Sequence, residues 1–60
     1  MVLNLTAVMV EYRTGLRSYT RKVLVEPARK PHKTIERAKN IVRRQMDVPV
    51  EITNAWTAVS

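Results

Sequence analysis

The residues of this chain whose types and spacing could do chemistry are cations at the start of a predicted helix. Arg29, Lys30, His32 and Lys33 follow one another closely. The helix macrodipole disfavours positive charge at this end, whereas the free N–H groups of a helix N-terminus bind anions, and nearby cations strengthen such a site. The cluster therefore predicts a phosphate site. The competing interpretation is that these flexible side chains extend into water, where their repulsion is screened.

Further basic residues continue from this cluster along the predicted helix. Lys33, Arg37 and Arg44 fall on one side of it, although the dipole alone would also favour a cation at position 44, near the C-terminus. All eleven Lys and Arg residues lie between positions 13 and 44, and the net charge is +6. A field of this kind attracts polyanions, while Lys and Arg also keep small proteins in solution.

The predicted hairpin supplies a second basic patch. Arg13, Arg17 and Lys22 lie near Tyr12 and Tyr19, and a basic finger with aromatic platforms is typical of proteins that bind single strands. The predicted nucleic-acid-binding residues are Arg29, Lys30, Lys33, Arg37 and Arg44, with Arg13 and Arg17 as the second patch.

The sequence does not support a catalytic arrangement. His32 is the one histidine, its nearest acid is Glu36, and the five carboxylates are scattered. A nucleophile–base pair or a two-carboxylate site therefore lacks its residues. The lone glycine excludes a glycine-rich phosphate loop, and the lack of cysteine excludes a disulfide and a thiolate metal site. We expect no enzyme activity, no metal and no cofactor.

Three strands and one helix must position the basic residues. The first strand is apolar and β-rich and covers about 2–12, the second about 16–26 and the third about 48–59. The helix begins near Pro31, or at Thr34 acting as an N-cap.

The register of the hairpin is predicted from its loop. A three-residue loop, Arg13-Thr14-Gly15, with glycine in the left-handed region places Tyr12 opposite Leu16. A two-residue Thr14–Gly15 loop is the alternative, but it separates apolar from polar side chains less well.

We predict one α+β domain covering residues 1–60, with β-β-α-β connectivity. Its three-stranded antiparallel sheet has the order 2-1-3, because the first strand is apolar on both faces and a right-handed crossover carries the third strand to its far side. One helix packs on one face. The side chains predicted beneath it are Leu3, Leu5, Ala7, Met9, Val23, Val25, Ile52 and Trp56.

The opposite face of the predicted sheet is uncovered and apolar, and such surfaces mark interfaces. The third strand is an edge without charge beyond Glu51, so nothing in it blocks pairing with another strand, whereas Arg17, Arg21 and Lys22 guard the second strand. A chain of 60 residues without disulfides is marginally stable alone, which favours a homo-oligomer, in particular a dimer. The predicted interface residues are Val8, Val10, Tyr12, Leu24, Thr57 and Val59.

The sequence thus predicts a small non-enzymatic binding module that self-associates and contacts a polyanion, nucleic acid above all, in a non-specific and salt-sensitive manner. The alternative is a protein–protein accessory or inhibitor factor, of the kind that phages or mobile elements encode, acting through the apolar sheet face or the third-strand edge. Asn4 and Thr6 interrupt the N-terminal apolar run, which is too short for a signal peptide or a membrane span. We therefore expect a cytoplasmic protein with no membrane partner.

Overall fold

A computed structural model describes residues 4–58, and within them three strands and one helix follow one another. Strand β1 spans Thr6–Thr14, β2 spans Arg17–Val25, helix α1 spans Pro31–Gln45 and β3 spans Glu51–Thr57. The strands form one antiparallel sheet in the order β2-β1-β3. The predicted β-β-α-β fold with the first strand in the centre is therefore confirmed, and β2 and β3 are the two edges.

The turn between β1 and β2 has two residues, Gly15 and Leu16. Tyr12 pairs with Tyr19 rather than with Leu16, so the predicted three-residue loop and its Thr14–Gly15 alternative are both wrong. Gly15 has a φ of 63°, and no other described residue has a positive φ. A positive φ at the first turn position alone is the pattern of a type II′ turn, whose twist suits a hairpin. This turn leaves the Leu16 side chain fully exposed.

Helix α1 packs on the sheet face that carries Val8, Val10 and Tyr12, which we name the helix face; the other is the open face. The charges near the hairpin turn explain the choice. The other alternate set of β1 contains Glu11 and, because the strand extends beyond residue 12, also Arg13, and both charges are costly to bury. The prediction that Val8, Val10 and Tyr12 lie on the uncovered face is wrong. The buried hydrophobic residues are Val8, Val10, Tyr12, Val23, Val25, Ala38 and Val42.

The side chains predicted beneath the helix are placed correctly in β2 and wrongly in β1. The two valines near the end of β2 are buried. Ala7 and Met9 alternate with the buried residues of β1 and therefore lie on the open face, and Leu5 is 49% exposed. Leu3 lies outside the described residues.

A β-bulge interrupts the pairing of β3 with β1. Glu11 pairs with Asn54, whereas the next residue, Tyr12, pairs with Ile52. Thr53 is the extra residue, and its hydroxyl donates a 3.1 Å hydrogen bond to the carbonyl oxygen of Glu11. Such a bulge shifts the alternation of side chains by one position.

The bulge places Trp56 on the open face. Ile52 and Ala55, before and after the bulge, both pack against the core, so the next residue, Trp56, projects from the opposite face beside Met9. Its side chain is 40% exposed. The prediction that Trp56 lies beneath the helix is wrong because it assumed unbroken alternation, although Asn54 already interrupted the pattern.

Helix α1 begins at Pro31, as the first of the two alternatives predicted. Lys30 is the N-cap residue and makes no side-chain capping hydrogen bond. Thr34 is not a cap, since its buried side-chain oxygen accepts a 2.8 Å hydrogen bond from the N–H of Ala28. The buried stripe of the helix comprises Thr34, Ala38 and Val42.

Candidate functional site

Most basic residues gather on one side of the molecule, formed by the β2 edge and the adjoining flank of α1. Arg37 donates a 3.0 Å hydrogen bond from Nη1 to the carbonyl oxygen of Glu26, directly after β2. Arg37 and Arg44 also border a groove with Leu24 and Val25. The predicted basic row of the helix therefore lies beside β2. We name this surface the basic side; its exposed members are Arg17, Arg21, Arg29, Lys30, Lys33, Arg37 and Arg44.

The cluster at the start of the helix surrounds an open depression of about 660 Å³. Arg29, Lys30, Lys33 and Arg37 line it together, and Glu36 is the one acidic residue among the described residues that line it. The structure thus brings together four of the residues predicted to bind nucleic acid. The depression does not include Arg44, the remaining residue of that first patch, which borders the groove beside β2.

The backbone at the start of α1 offers few N–H groups to an anion. Pro31 has none, and the N–H groups of Lys33 and Thr34 both donate to the carbonyl oxygen of Lys30, at 3.0 and 3.3 Å. Within residues 4–58, the N–H of His32 is the one in this first turn without a backbone acceptor. An anion here would therefore meet chiefly side chains, and the free backbone groups expected from the sequence are mostly absent.

The predicted second patch is divided between the two faces of the sheet. Arg13 lies on the open face and forms a 2.6 Å ion pair with Glu51 of β3. Arg17 pairs with Thr14 and lies on the helix face, beyond the part that α1 covers. The structure does not bring Arg13 and Arg17 together, and the charge of Arg13 is already compensated.

Arg21 is missing from the residues predicted to bind nucleic acid, although the sequence identified it as a guard of the β2 edge. Arg17, Tyr19 and Arg21 occupy alternate positions of β2, so their side chains project from one face. All three are exposed. Their alternation is visible in the sequence, and it continues into the buried Val23 and Val25, but the wrong register concealed which residues of β1 lie beside them.

Tyr19 and Tyr12 form a stacked pair across the hairpin. Their ring centroids are 5.6 Å apart and their planes differ by 25°. The two rings differ in accessibility, since Tyr12 is 8% exposed and Tyr19 is 42% exposed. The pair therefore consists of an inner ring held by the core and an outer ring at the surface.

Carboxylates compensate few of the cations. Residues 4–58 contain two ion pairs, Arg13 with Glu51 at 2.6 Å and Lys39 with Glu36 at 3.8 Å. No Lys or Arg of the basic side has a carboxylate partner within 4.0 Å in that part of the chain. The positive potential of the basic side is consequently left to attract polyanions.

The predicted interface residues divide into three groups. The three from β1 are buried in the protein's own core and cannot form an exposed interface without unfolding it. Leu24 on the open face is 57% exposed, and Thr57 of the β3 edge is also exposed. Val59 lies outside the described residues.

The open face carries an apolar area away from the hairpin turn. Leu24 pairs there with Ala7, and Trp56 pairs with Met9. Closer to the turn the same face becomes polar, since Glu11 lies between Thr20 and Asn54 in the pairing. A second candidate surface therefore lies on the sheet itself, apart from the basic side.

Comparison with protein-family models, with curated proteins and with solved structures finds no match to this chain. Its function is therefore inferred from its own residues. Among residues 4–58, no three His, Cys, Asp or Glu side chains are grouped so that they could hold a metal ion. In the same range, no helix has the length and apolar character needed to cross a membrane.

Proposed function

We propose that the chain is a small non-enzymatic binding module whose basic side contacts a polyanion, with nucleic acid as the favoured class. The observation that carries the proposal is the concentration of uncompensated cations on one side of the sheet, opposite a β3 edge that has no charged residue between Ile52 and Thr57. Phosphate contacts from Lys and Arg supply affinity without reading sequence. The proposed binding is therefore non-specific and sensitive to salt.

The spacing of the helical cations supports contact with a phosphate backbone. Lys33 and Arg37 are one turn apart, roughly 6 Å along the helix axis, and Arg37 and Arg44 are about 10 Å apart. A nucleic-acid strand carries a charge about every 3.4 Å, so phosphates are available along the whole row.

The test compares two pairs of substitutions on the same helix, each of which removes two positive charges. Arg37→Ala with Arg44→Ala alters the basic side, whereas Lys39→Ala with Arg43→Ala alters residues already engaged with Glu36 and Asn40. Binding of a labelled DNA duplex is measured by fluorescence anisotropy at several salt concentrations. We expect the first pair to reduce the slope of log K against log salt by about 1.8, at roughly 0.9 per lost contact, and the second to leave it nearly unchanged.

Two results would contradict the proposal. A parent protein that does not bind the duplex at low salt rejects polyanion binding. Equal effects of the two pairs would mean that net charge alone matters and that the basic side is not the contact surface. Melting curves of both variants are measured to verify that each is folded, which we expect because charged side chains at the surface contribute little to stability.

Self-association through the β3 edge is a further part of the proposal. Between Ile52 and Thr57 this edge has neither charge nor proline, so its unpaired backbone groups are available to the β3 strand of a second copy. We expect Thr57→Lys to shift the protein toward monomer in light scattering, while Thr20→Lys on the already basic β2 leaves the mass unchanged. A parent that is monomeric at high micromolar concentration rejects self-association.

A protein–protein accessory factor is the second candidate function, favoured by the exposure of Leu24 and Trp56 on the open face. Its basic surface would then match an acidic partner or serve solubility. Retention on a heparin or DNA column separates the candidates, because a polyanion-binding module elutes only at raised salt. The cytoplasmic location stays a prediction from the sequence.

A further inference from the structure

We propose that Tyr19 is a stacking platform for one base of a single-stranded nucleic acid, with Arg17 and Arg21 contacting the phosphates on either side. The inference depends on the proposed function, polyanion binding, to which it adds a ligand class and a position. The Arg17-Tyr19-Arg21 row of β2 is named the hairpin platform below.

The hairpin platform lies on a part of the helix face that the helix leaves free. Only Val23 and Val25 of β2 are buried, and every residue from Arg17 to Lys22 is exposed. The platform is therefore accessible, although it projects from the same face as the core. Elsewhere α1 packs against this face and contacts all three strands.

The stacking of the two tyrosines directs one ring face outward. Tyr12 belongs to the central strand and lies on the inner side of Tyr19. Since the ring planes differ by only 25°, the other face of the Tyr19 ring is turned toward the outer side of β2. Among residues 4–58, no further strand lies there, because β2 is an edge of the sheet.

The buried neighbour also holds the outer ring in place. Tyr12 is 8% exposed and is part of the core, so it restricts the rotamers open to the ring stacked upon it. A ring that is ordered before binding loses less conformational entropy when a ligand arrives. At 42% exposure, Tyr19 keeps enough surface for contact with a base.

The two arginines flank this ring at distances that suit a nucleotide chain. Alternate residues of a strand are roughly 7 Å apart, so Arg17 and Arg21 project about 7 Å to either side of Tyr19. Neither has a carboxylate partner within 4.0 Å among residues 4–58. Single-strand binders combine these same two elements, cations that follow the backbone and aromatic rings that stack on bases.

The arrangement favours a single strand over a duplex. Bases of a duplex are stacked on one another, and exposing one of them costs free energy. An unpaired base has a π-face available, and stacking tolerates any base. The oxygen chemistry of the phosphates is the same in DNA and RNA, so both are tested.

The first experiment needs no change to the protein. Binding is measured by anisotropy at low salt for oligo(dT), oligo(rU) and an abasic deoxyribose-phosphate strand, each of about twelve nucleotides, within the range of site sizes for such proteins. We expect at least one of the two base-containing strands to bind about 5- to 150-fold more tightly than the abasic strand, the range that corresponds to one stacked base. The tighter of the two shows which of these two strands the protein prefers.

The second experiment locates the contact. Tyr19→Ala is expected to remove the preference for bases without changing the salt slope, because no phosphate contact is lost. Arg21→Gln is expected to reduce the slope by about 0.7 while keeping the preference. Tyr19→Phe keeps the stacking ring and therefore the preference. Thr20→Ala, on the opposite face of the same strand, is the matched control and leaves both quantities unchanged.

The outcomes separate this inference from the proposed function. Binding to none of the strands rejects polyanion binding itself. Equal affinity for base-containing and abasic strands, with salt-sensitive binding retained, overturns the stacking platform alone. If Tyr19→Ala does not fold, Tyr19→Leu, which keeps an apolar contact with Tyr12, takes its place; a base preference that survives either substitution overturns the assignment to Tyr19.

Discussion

The two edge strands of the sheet present the same kind of backbone with different side chains. β2 carries Arg17, Arg21 and Lys22 along its exposed length, whereas β3 has no charge between Ile52 and Thr57. An unpaired strand edge invites another strand unless charge or proline prevents it. By this criterion β2 is closed to strand pairing and β3 is open to it. Side chains rather than topology therefore distinguish the two edges.

The largest expected effect concerns β1, the strand that separates the two edges. Val10 is fully buried, so Val10→Glu places an unpaired carboxylate in the core. We expect a loss of about 5 kcal/mol or more, as much as a domain this small has, and circular dichroism should show an unfolded chain. Leu24→Glu on the open face is the matched control, with a cost within about 1 kcal/mol. A folded, monomeric Val10→Glu protein would instead mean that Val10 belongs to an interface between copies.

Trp56→Ala tests β3, the edge strand without charge, at a side chain that lies on the open face. Because Trp56 is 40% exposed, we expect a loss of about 2 kcal/mol in urea unfolding, less than the roughly 3–5 kcal/mol typical of a buried tryptophan. Thr57→Ala should stay within about 0.5 kcal/mol. A loss above 4 kcal/mol for Trp56→Ala would indicate that another molecule covers the open face in solution.

The contrast in charge between β2 and β3 is tested by lowering the net charge of each edge strand by the same amount. Arg17→Gln with Arg21→Gln and, separately, Asn54→Asp with Thr57→Glu each lower the net charge from +6 to +4. We expect the β2 pair to weaken binding of oligo(dT) about tenfold at low salt, because phosphate contacts are lost, and the β3 pair to change it less than about twofold. Similar losses in the two proteins would remove the distinction between the edges.

The smallest expected effect concerns the start of α1, on the basic side. Lys30 is the N-cap residue with φ −107° and ψ 133° and no side-chain cap. We expect Lys30→Asp to raise the free energy of unfolding by about 1 kcal/mol, since aspartate caps the helix and suits its dipole, and to weaken polyanion binding. Lys30→Ala should weaken binding without the gain in stability. Unchanged binding in both variants would place Lys30 outside the contact surface.

The order of elements and the order of strands were predictable because they depend on local patterns. Prolines and hydrophobic periodicity delimited the strands and the helix, and a strand apolar on both faces belongs in the centre of a sheet. The face of β1 that the helix covers was not predictable from its apolar run, since both alternate sets are apolar there. Glu11 and Arg13, in the part of β1 nearest the turn, decide between them. Glu11 already belonged to the predicted strand, whereas ending that strand at about residue 12 left out Arg13.

In the candidate site, too, features that lie within one element were predictable, and features that depend on pairing between strands were not. The helix row and the cluster at the helix start follow from spacing within one element, and the structure places them as neighbours. The hairpin platform depends on pairing across two strands, so a wrong register separated Tyr12 from Tyr19. The bulge at Thr53 is a feature of the pairing between β3 and β1, where Thr53 also donates a hydrogen bond to Glu11, and no local pattern reveals such pairing.

Because α1 covers only one face of the sheet, the core is limited to the few side chains buried between that face and the helix, and this has a calorimetric consequence. A chain of 60 residues unfolds with an enthalpy of roughly 40 kcal/mol at most, so its thermal transition should be broad. The entropy of unfolding is correspondingly small, and each kcal/mol of binding free energy displaces the midpoint by about 4–8 °C. Occupancy of either edge, by an oligonucleotide or by a second copy, should therefore be readable from a melting curve alone.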